Sequence, residues 1–302
     1  MKRVVVIGAN GFIGYHLTQH LLAQQVEVVA LVPMGFDDAH VRALSVQCMS
    51  FSFDTLHTNI IEVCRDADVL YNMVWAGMNP AERNNVETQV SNLLYNVRVI
   101  EMMVNHHIRK LVVPGSAAQY ACSGRIIDGI GESAPSDLYS AAKASVYDYC
   151  KVLCKQKDIE LVWTLITSIY GPGRDDNNLI SYTIKTLLRG ERPSFTGLEQ
   201  QWDYLFIDDL MKALCLLGEK GQGGKVYPIG SGEHRQMREY VQIIRDNIDS
   251  ELPLGIGDKP YKNPIIDNQI IDITELVKDT AFQPNWTFEK GINETIAWFK
   301  KQ

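Results

Sequence analysis

Three glycines near the N-terminus constrain the fold of this chain more than any other feature. The stretch "VVVIGANGFIG", residues 4–14, is an apolar run followed at once by Gly8, Gly11 and Gly14. This spacing at a strand-to-helix turn allows a tight turn, a close approach of backbone to a pyrophosphate, and close packing of the helix on the strand. The positive end of the helix dipole then faces the phosphates. The motif predicts a dinucleotide site, with an ordinary strand-turn-helix connection as the alternative.

The order of apolar and helical segments predicts how the rest of the chain is arranged. Up to about residue 165, apolar runs such as "RVVVIG", "VEVVALV", "ADVLYNMV", "RKLVVPGS" and "IELVWTLIT" alternate with helical patterns. This alternation is typical of a parallel sheet covered by helices on both faces. Beyond residue 166 the loops lengthen and the alternation ends. We therefore predict a dinucleotide-binding domain over residues 1–165 and a substrate-binding region over residues 166–302, packed together around a cleft.

Charge and composition exclude several classes of function. The 302 residues carry 29 basic and 36 acidic side chains, a net charge of −7, which argues against nucleic-acid partners and an anionic membrane surface. No apolar run approaches the roughly 20 residues that span a bilayer, and the N-terminus lacks a signal-peptide layout. The six cysteines are scattered along the chain. This pattern is typical of reduced thiols in a cytoplasmic protein and not of a disulfide framework. Cys150 and Cys154 have no further ligand nearby in the sequence, so no metal is predicted.

The end of the second apolar run bears on the choice of dinucleotide. A carboxylate at this point binds the adenosine ribose and favours NAD, but residues 32–34 read "VPM". Asp37 and Asp38 follow a few positions late, and Arg42 is a possible partner for a 2′-phosphate. The pattern favours NADP(H) over NAD(H). The alternative is that the displaced Asp37 serves NAD.

A second constellation indicates acid–base chemistry. Tyr139 and Lys143 are four residues apart and share one face of a predicted helix. An ammonium beside a phenol would lower the tyrosine pKa toward neutrality, so that the phenol could exchange a proton with an alcohol. Ser116 follows a strand 23 residues before the tyrosine, at the sheet edge where ligands bind. Alone, the tyrosine–lysine pair would fit a solvated helix face, but together with Ser116 and the glycine loop it predicts catalysis.

Six motifs extend this interpretation. "GANGFIG", "DADVLYNMVWA", "SAAQYA", "YSAAK", "SIYGPG" and "QQWDYLFIDDL" make the whole chain resemble the extended short-chain dehydrogenase/reductases of the nucleotide-sugar epimerase/dehydratase type. The resemblance implies a Rossmann-type doubly wound parallel sheet with a smaller, irregular α/β C-terminal part. It implies catalytic roles for Ser116, Tyr139 and Lys143. The cofactor-binding residues that it implies are Gly8, Asn10, Gly11, Phe12, Ile13, Gly14, Asp54, Met73, Val74, Trp75, Asn92, Tyr139 and Lys143.

Within that list the resemblance gives some residues a specific part. Asp54 would face the adenine, and Asn92 would support the lysine through water. Residues 73–75 would line the cofactor.

The chain departs from the family pattern on the substrate side. The family's dehydratases have an Asp-Glu pair where this chain has Ala117 and Ala118, so water elimination lacks its acid and base. Trp202 replaces an arginine common in epimerases, and it could stack on a base or sugar or belong to the core. Arg174 is the candidate phosphate contact, with a solvated loop arginine as the alternative, and Ser168 stands where relatives often have asparagine. The predicted substrate-binding residues are Ser116, Ala117, Ser168, Arg174 and Trp202.

These features together predict an enzyme. The chain looks similar to bacterial 4-keto-sugar-nucleotide reductases of surface-polysaccharide precursor synthesis. We expect NAD(P)H to deliver hydride to C4 of a 4-keto(-6-deoxy) nucleotide sugar, with Tyr139 as the general acid. One alternative is a nucleotide-sugar 4-epimerase with tightly bound NAD. A second is a non-catalytic NAD(P)-binding sensor, although such sensors commonly lose the tyrosine or the lysine.

Two predicted helices bear on assembly, because in this family such helices pair across a two-fold axis. We predict a homodimer, with packing inside the monomer as the alternative. The apolar stripe that supports the prediction consists of Val90, Leu93, Leu94, Val97, Ile100 and Val104 on one helix and Val146, Cys150, Leu153 and Cys154 on the other.

Overall fold

A computed structural model describes residues 1–52, 64–79, 82–120, 127–129, 133–261 and 268–302. The longer strands of the main sheet, such as β1, β2 and β6, are rich in β-branched and other apolar residues. The strands in the described ranges are Arg3–Ile7 (β1), Glu27–Pro33 (β2), Gln47–Phe51 (β3), Val69–Asn72 (β4), Lys110–Ser116 (β5), Glu160–Ile166 (β6), Ser168–Tyr170 (β7), Gln201–Trp202 (β8), Tyr204–Phe206 (β9), Val226–Ile229 (β10) and Arg235–Gln236 (β11).

Helices follow most of these strands. The described helices are Phe12–Ala23 (α1), Ala39–Arg42 (α2), Val86–Asn105 (α3), Leu138–Gln156 (α4), Leu179–Leu188 (α5), Ile207–Lys220 (α6), Met237–Ile248 (α7), Thr274–Thr280 (α8) and Phe288–Phe299 (α9). A 3-10 turn, Ala117–Gln119, follows β5. None of the helices in the described ranges is both long and apolar enough to cross a lipid bilayer.

Within the described residues, seven strands form one parallel sheet in the order β10-β6-β5-β4-β1-β2-β3. Helices α1 and α6 pack together, as do α3 and α4, so that helices cover the sheet. The chain runs outward from β1 in one direction through β2 and β3, and in the other through β4, β5 and β6. The carboxyl ends of β1 and β4 are therefore a switch point, where ligands of such sheets bind. The predicted fold class, a Rossmann-type α/β sheet, is confirmed.

The part beyond residue 166 is less regular. Strands β7 and β9 pair in parallel and β8 pairs with β11 antiparallel, which gives two small two-stranded sheets. Strand β10 leaves this part and joins the main sheet beside β6. The sheet thus runs across the predicted division between residues 165 and 166, and the division itself stays a prediction.

The first residues of helices α4 and α6 are set by their local surroundings. The Asp137 side chain caps α4 by accepting from Ser140 N at 2.8 Å, so the helix begins at Leu138 and carries Tyr139 in its first turn. The predicted strand "DYLFI" ends earlier than its sequence pattern indicates, because α6 begins at Ile207, with Asp208 and Asp209 in its first turn. The helix predicted over "TNIIEVCRD" lies for the most part outside the described residues.

Candidate active site

The glycine loop between β1 and α1 is closely packed at two of its three glycines. Gly8 has φ +82°, and a Cβ there would lie 2.7 Å from Val74 Cγ2. A Cβ on Gly14 would lie 2.1 Å from the Gly8 carbonyl oxygen. Only glycine fits both positions without a backbone shift. The turn therefore holds the start of α1 against the ends of β1 and β4.

The third glycine leaves room at the mouth of the loop. Gly11 is the N-cap of α1, and no side chain caps the helix there. A Cβ on Gly11 would meet nothing closer than the Gly8 carbonyl oxygen at 3.5 Å. Uncapped amide groups at a helix N-terminus can bind anions. In α1, Phe12 and Ile13 belong to the first turn. These residues fit the pyrophosphate of a dinucleotide. The backbone oxygen of the neighbouring Asn10 contacts His40 Nε2 at 3.2 Å, which ties the segment after β2 to the loop.

The segment after β2 has its own charge pairing. Arg42 donates to Asp38 at 2.7 Å, and this hydrogen bond lowers the carboxyl pKa of Asp38. Asp37 accepts a hydrogen bond from Ala39 N at 3.0 Å, just before Asp38, the N-cap residue of the short α2. Arg42 is therefore paired within its own helix rather than free. Asp54, predicted at the adenine, lies outside the described residues.

Residues 73–75, which follow β4 and are predicted to line the cofactor, form what we term the cofactor wall. Buried amide side chains hold this segment in place. Asn92 accepts from Ala76 N at 3.1 Å and donates to Ala76 O at 3.0 Å. Gln89, which sequence reasoning missed, accepts from Trp75 Nε1 at 3.3 Å and donates to Gly77 O at 3.0 Å. The two amides on α3 thus fix the chain that carries Met73, Val74 and Trp75. Asn92 holds this segment, and the described contacts do not connect it to Lys143.

Lys143 is buried beside Trp75 of the cofactor wall. Its Nζ donates to Pro114 O at 2.6 Å and lies 3.7 Å from the centre of the Trp75 ring. Burial disfavours the charged form and lowers its pKa to about 7. The ring of Trp75 also makes an edge contact with Tyr139, with 5.9 Å between ring centres. The structure thus brings the predicted tyrosine, lysine and cofactor wall together.

The phenol of Tyr139 has a raised pKa. Burial is the largest cause, and interactions with the Ser116 side chain and the Arg83 charge act in the opposite direction. The prediction of a tyrosine pKa lowered toward neutrality is wrong, because burial of the phenol raises the pKa of Tyr139. Tyr139 is consequently a protonated phenol at neutral pH.

Ser116 joins β5 to the 3-10 turn. Its Oγ accepts from Ala118 N at 3.2 Å, and its own N–H donates to Gln119 Oε1 at 3.0 Å. Ala117 is fully buried. Ala117 and Ala118 both lie on the turn that follows Ser116. This turn therefore carries no carboxylic acid that could serve in water elimination.

Two predicted substrate residues, Ser168 on β7 and Trp202 on β8, contact each other. Trp202 Nε1 donates to Ser168 Oγ at 2.9 Å, and Trp202 O accepts from Tyr240 OH at 2.9 Å. Trp202 is half-buried. Its ring is therefore held in place at one edge while part of its surface remains open.

Arg174 lies between the glycine loop and the tyrosine. Its guanidinium pairs with Asp176 at 2.9 Å, donates to Ile169 O, and lies 5.8 Å from the centre of the Phe12 ring. Its positive charge favours the ionised phenol and so opposes the rise that burial causes in the Tyr139 pKa. This position beside the first turn of α1 is compatible with a phosphate contact.

A second arginine, Arg83, lies over Tyr139 and was not expected from the sequence. Its guanidinium carbon is 4.3 Å from the centre of the Tyr139 ring, and its Nε donates to Asp137 Oδ2 at 2.7 Å. Arg83 precedes α3 and Tyr139 begins α4, so only the packing of the two helices brings them together. No sequence spacing could have indicated the pair.

Comparison with known sequences gives a family and partial relatives. A sequence model described as the NAD dependent epimerase/dehydratase family matches residues 4–230. The dTDP-glucose 4,6-dehydratase of Xanthomonas campestris pv. campestris is 30% identical over 176 residues, which is 55% of this chain and 50% of the relative. The alignment thus spans about half the length of the curated relatives matched first.

Comparison with solved structures covers the whole chain. The UDP-N-acetylglucosamine 4-epimerase of Methanobrevibacter ruminantium M1 has a TM-score of 0.87 at 22% identity and covers 100% of this chain and 99% of its own. The UDP-glucose 4-epimerase of Thermus thermophilus, solved with NAD, has a TM-score of 0.86 at 18% identity, with 99% of each chain covered. At these identities the likeness establishes the fold.

Proposed function

This chain belongs to the NAD-dependent epimerase/dehydratase family, and we propose that it is an NAD(P)-dependent oxidoreductase acting at C4 of a nucleotide sugar. The observation that carries the proposal is the position of Tyr139, which contacts Ser116 and the cofactor wall at the carboxyl end of the sheet. The open glycine loop supports dinucleotide binding. Residues 8–14 would hold the pyrophosphate, residues 73–75 would line the nicotinamide side, and Asn92 would fix that wall.

The protonation of Tyr139 supports reduction of a ketone. Its raised pKa keeps the phenol protonated at neutral pH, so Tyr139 starts as a proton donor. In this proposal Tyr139 gives its proton to the sugar O4, and Ser116 donates a hydrogen bond to that oxygen. Lys143 would hold the cofactor ribose. When bound, the reduced nicotinamide supplies the hydride to C4, which together with the tyrosine proton converts the ketone to an alcohol.

The substrate side supports a nucleotide sugar. Arg174 would contact the diphosphate, while Trp202, held by Ser168, would pack on the base or sugar. The turn after Ser116 carries alanines at 117 and 118, which argues against dehydration even though the first relatives matched are dehydratases. Synthesis of bacterial surface-polysaccharide precursors in the cytoplasm is part of the same proposal and rests on the resemblance to 4-keto-sugar-nucleotide reductases.

A 4-epimerase with tightly bound NAD is the second candidate. Solved 4-epimerases match the fold over the full length of this chain. An epimerase must first remove a proton from the sugar hydroxyl, and a protonated Tyr139 suits that step less well. The absence of a carboxylate at residues 32–34 favours NADP(H) over tightly bound NAD, and so a cofactor that exchanges at each turnover. A sensor role is the third candidate, and the retained Tyr139 and Lys143 argue against it.

The deciding experiment follows cofactor oxidation in the purified protein. We expect NADPH, and NADH less well, to be oxidised when a 4-keto nucleotide sugar is added. Tyr139→Phe should reduce turnover by roughly 100-fold or more, because the proton donor is lost, while cofactor affinity stays within about two-fold. If the variant keeps near-normal turnover, Tyr139 is not the acid. If the protein purifies with NAD and interconverts UDP-glucose and UDP-galactose without added cofactor, it is the epimerase.

A further inference from the structure

Arg83 and the start of α4 form one connected unit. The Asp137 carboxylate receives Arg83 Nε at 2.7 Å on one oxygen and Ser140 N at 2.8 Å on the other. It therefore caps α4 and anchors the guanidinium at the same time. The anchored group lies 4.3 Å from the centre of the Tyr139 ring, and its side chain is 31% exposed. Tyr139 is thus held between Arg83 and the edge-on ring of Trp75.

The charge on Arg83 matters more when Tyr139 is ionised than when it is neutral. A cation over an aromatic face is attracted to the ring, and the attraction grows when the phenol loses its proton and gains negative charge. The groups that act on Tyr139 are Ser116, Arg83, Asp137 and Arg174, and of the two cations Arg83 has the larger effect. Lys143 Nζ donates to Pro114 O and lies over the Trp75 ring.

We propose that Arg83 is a positioning residue for Tyr139, which holds the ring in place and supplies a positive charge that stabilises the phenolate left after proton transfer. The inference rests on the proposed role of Tyr139 and deepens it. Arg83 lies before α3, far from Tyr139 in the sequence, and it reaches the ring through the cation–ring contact and is anchored by the ion pair with Asp137.

The test compares pH profiles of turnover. Loss of the protonated tyrosine sets the limb at high pH, so Arg83→Met should move that limb upward by roughly one pH unit and lower kcat roughly 10-fold, with little change in KM for the sugar. Arg83→Lys should restore part of both. Asp137→Asn keeps an N-cap side chain but removes the opposing charge, so it should move the limb downward. A pH profile separates this role from a structural one, because loss of packing alone would not move the limb.

The control is Arg109→Met, which removes an exposed arginine paired with Asp158 at 3.2 Å, at the amino-end edge of the sheet. It should leave the pH profile unchanged. If Arg83→Met folds and turns over with the wild-type profile, the proposal for Arg83 is overturned while the proposed function stands.

A second measurement separates the two proposals. The ionisation of Tyr139 is followed directly by NMR of tyrosine labelled at the ring carbon that bears oxygen, with Tyr139→Phe to assign the signal. Arg83→Met should move that titration to higher pH in the protein alone. If the titration moves but no nucleotide sugar is turned over, the proposed function fails and the action of Arg83 on Tyr139 stands. An unmoved titration overturns the Arg83 proposal, whatever the activity.

Discussion

Gly11 and Gly14 lie three residues apart in the same loop, yet their surroundings differ. A Cβ on Gly14 would overlap the Gly8 carbonyl oxygen at 2.1 Å, whereas one on Gly11 would lie 3.5 Å from that oxygen and in open space otherwise. The first position is needed by the fold, and the second is free to serve a ligand. This difference separates the packing role of the motif from its binding role.

Alanine substitutions at these two glycines should therefore have different effects. We expect Gly14→Ala to lower the free energy of unfolding by about 1–3 kcal/mol or more, because backbone must shift to admit the methyl group. Gly11→Ala should change stability by less than about 1 kcal/mol but weaken dinucleotide binding roughly 10-fold, because its methyl group would lie where the pyrophosphate approaches. Urea denaturation and cofactor titration measure the two effects. Equal stability losses at both positions would contradict the assignment.

Residues whose role depends on local geometry could be predicted from the sequence, and those that depend on packing could not. The glycines follow from a strand–turn–helix pattern, and the shared helix face of Tyr139 and Lys143 follows from a four-residue spacing. The direction of the Lys143 side chain does not follow from spacing, because it depends on Pro114 and Trp75 from other elements. Arg83 and Gln89 were missed for the same reason.

At the scale of secondary-structure elements, Asp203 joins β9 to the turn after β10. Its carboxylate accepts from Ser231 N at 2.9 Å and from Gly232 N at 3.2 Å, while Thr167 Oγ1 donates to its backbone oxygen at 2.7 Å. Asp203 is completely buried. Burial disfavours the charged form and raises its pKa to about 7, and the backbone N–H groups act against this shift.

This raised pKa predicts a pH-dependent stability. Between the ordinary value of 3.8 and about 7 the folded protein binds a proton that the unfolded chain does not. The stability contributed by Asp203 is therefore fully present below the lower value and is lost as pH rises through the upper one. We expect Asp203→Asn to lack this slope, so its stability relative to wild type should improve by about 2–4 kcal/mol between pH 4 and pH 8.

The measurement is a series of urea midpoints for both proteins across that pH range. Thr167→Val is the matched control, because it removes a hydrogen bond to the same residue without removing a titratable group. Its difference from wild type should be the same at every pH. A constant difference for Asp203→Asn would contradict the prediction.

The sequence predicts the long elements better than the short ones. Most strands of the main sheet are apolar runs, and α4 is a long helical pattern, so their existence followed from local pattern. The pairs β7–β9 and β8–β11 consist of strands of two or three residues. Such short strands form because tertiary packing brings them together, and no periodicity in the sequence can indicate that.

At the scale of the whole molecule, the question is whether two copies assemble. Helices α3 and α4, which pack side by side, carry the surface on which the dimer prediction depends. The predicted apolar stripe divides in the structure. Ile100, Val146, Cys150 and Cys154 are buried inside the monomer and cannot take part in an interface. Among the described residues, the exposed apolar side chains of the two helices are Val86, Val90, Leu94, Val104, Leu138, Tyr149 and Val152. These seven residues form what we term the α3–α4 face.

The α3–α4 face supports the homodimer that we propose. Exposed apolar side chains grouped on neighbouring helices are typical of an interaction surface, and a two-fold axis would place the same face of each copy in the contact. The wild-type protein should have twice the monomer mass of 34.0 kDa in light scattering at micromolar concentration. Leu94→Glu combined with Val152→Glu should give monomers, because two charges per copy would be buried without partners.

The control for this variant is Val277→Glu, which adds a charge at an exposed valine on α8, away from the α3–α4 face. It should leave the mass unchanged, whereas the double variant should halve it while keeping its helical circular dichroism. The buried positions of the stripe offer a second comparison. Val146→Ala leaves a cavity inside the monomer, so it should lower stability by about 1–3 kcal/mol without changing the mass. A wild-type protein of 34.0 kDa at micromolar concentration would overturn the homodimer prediction.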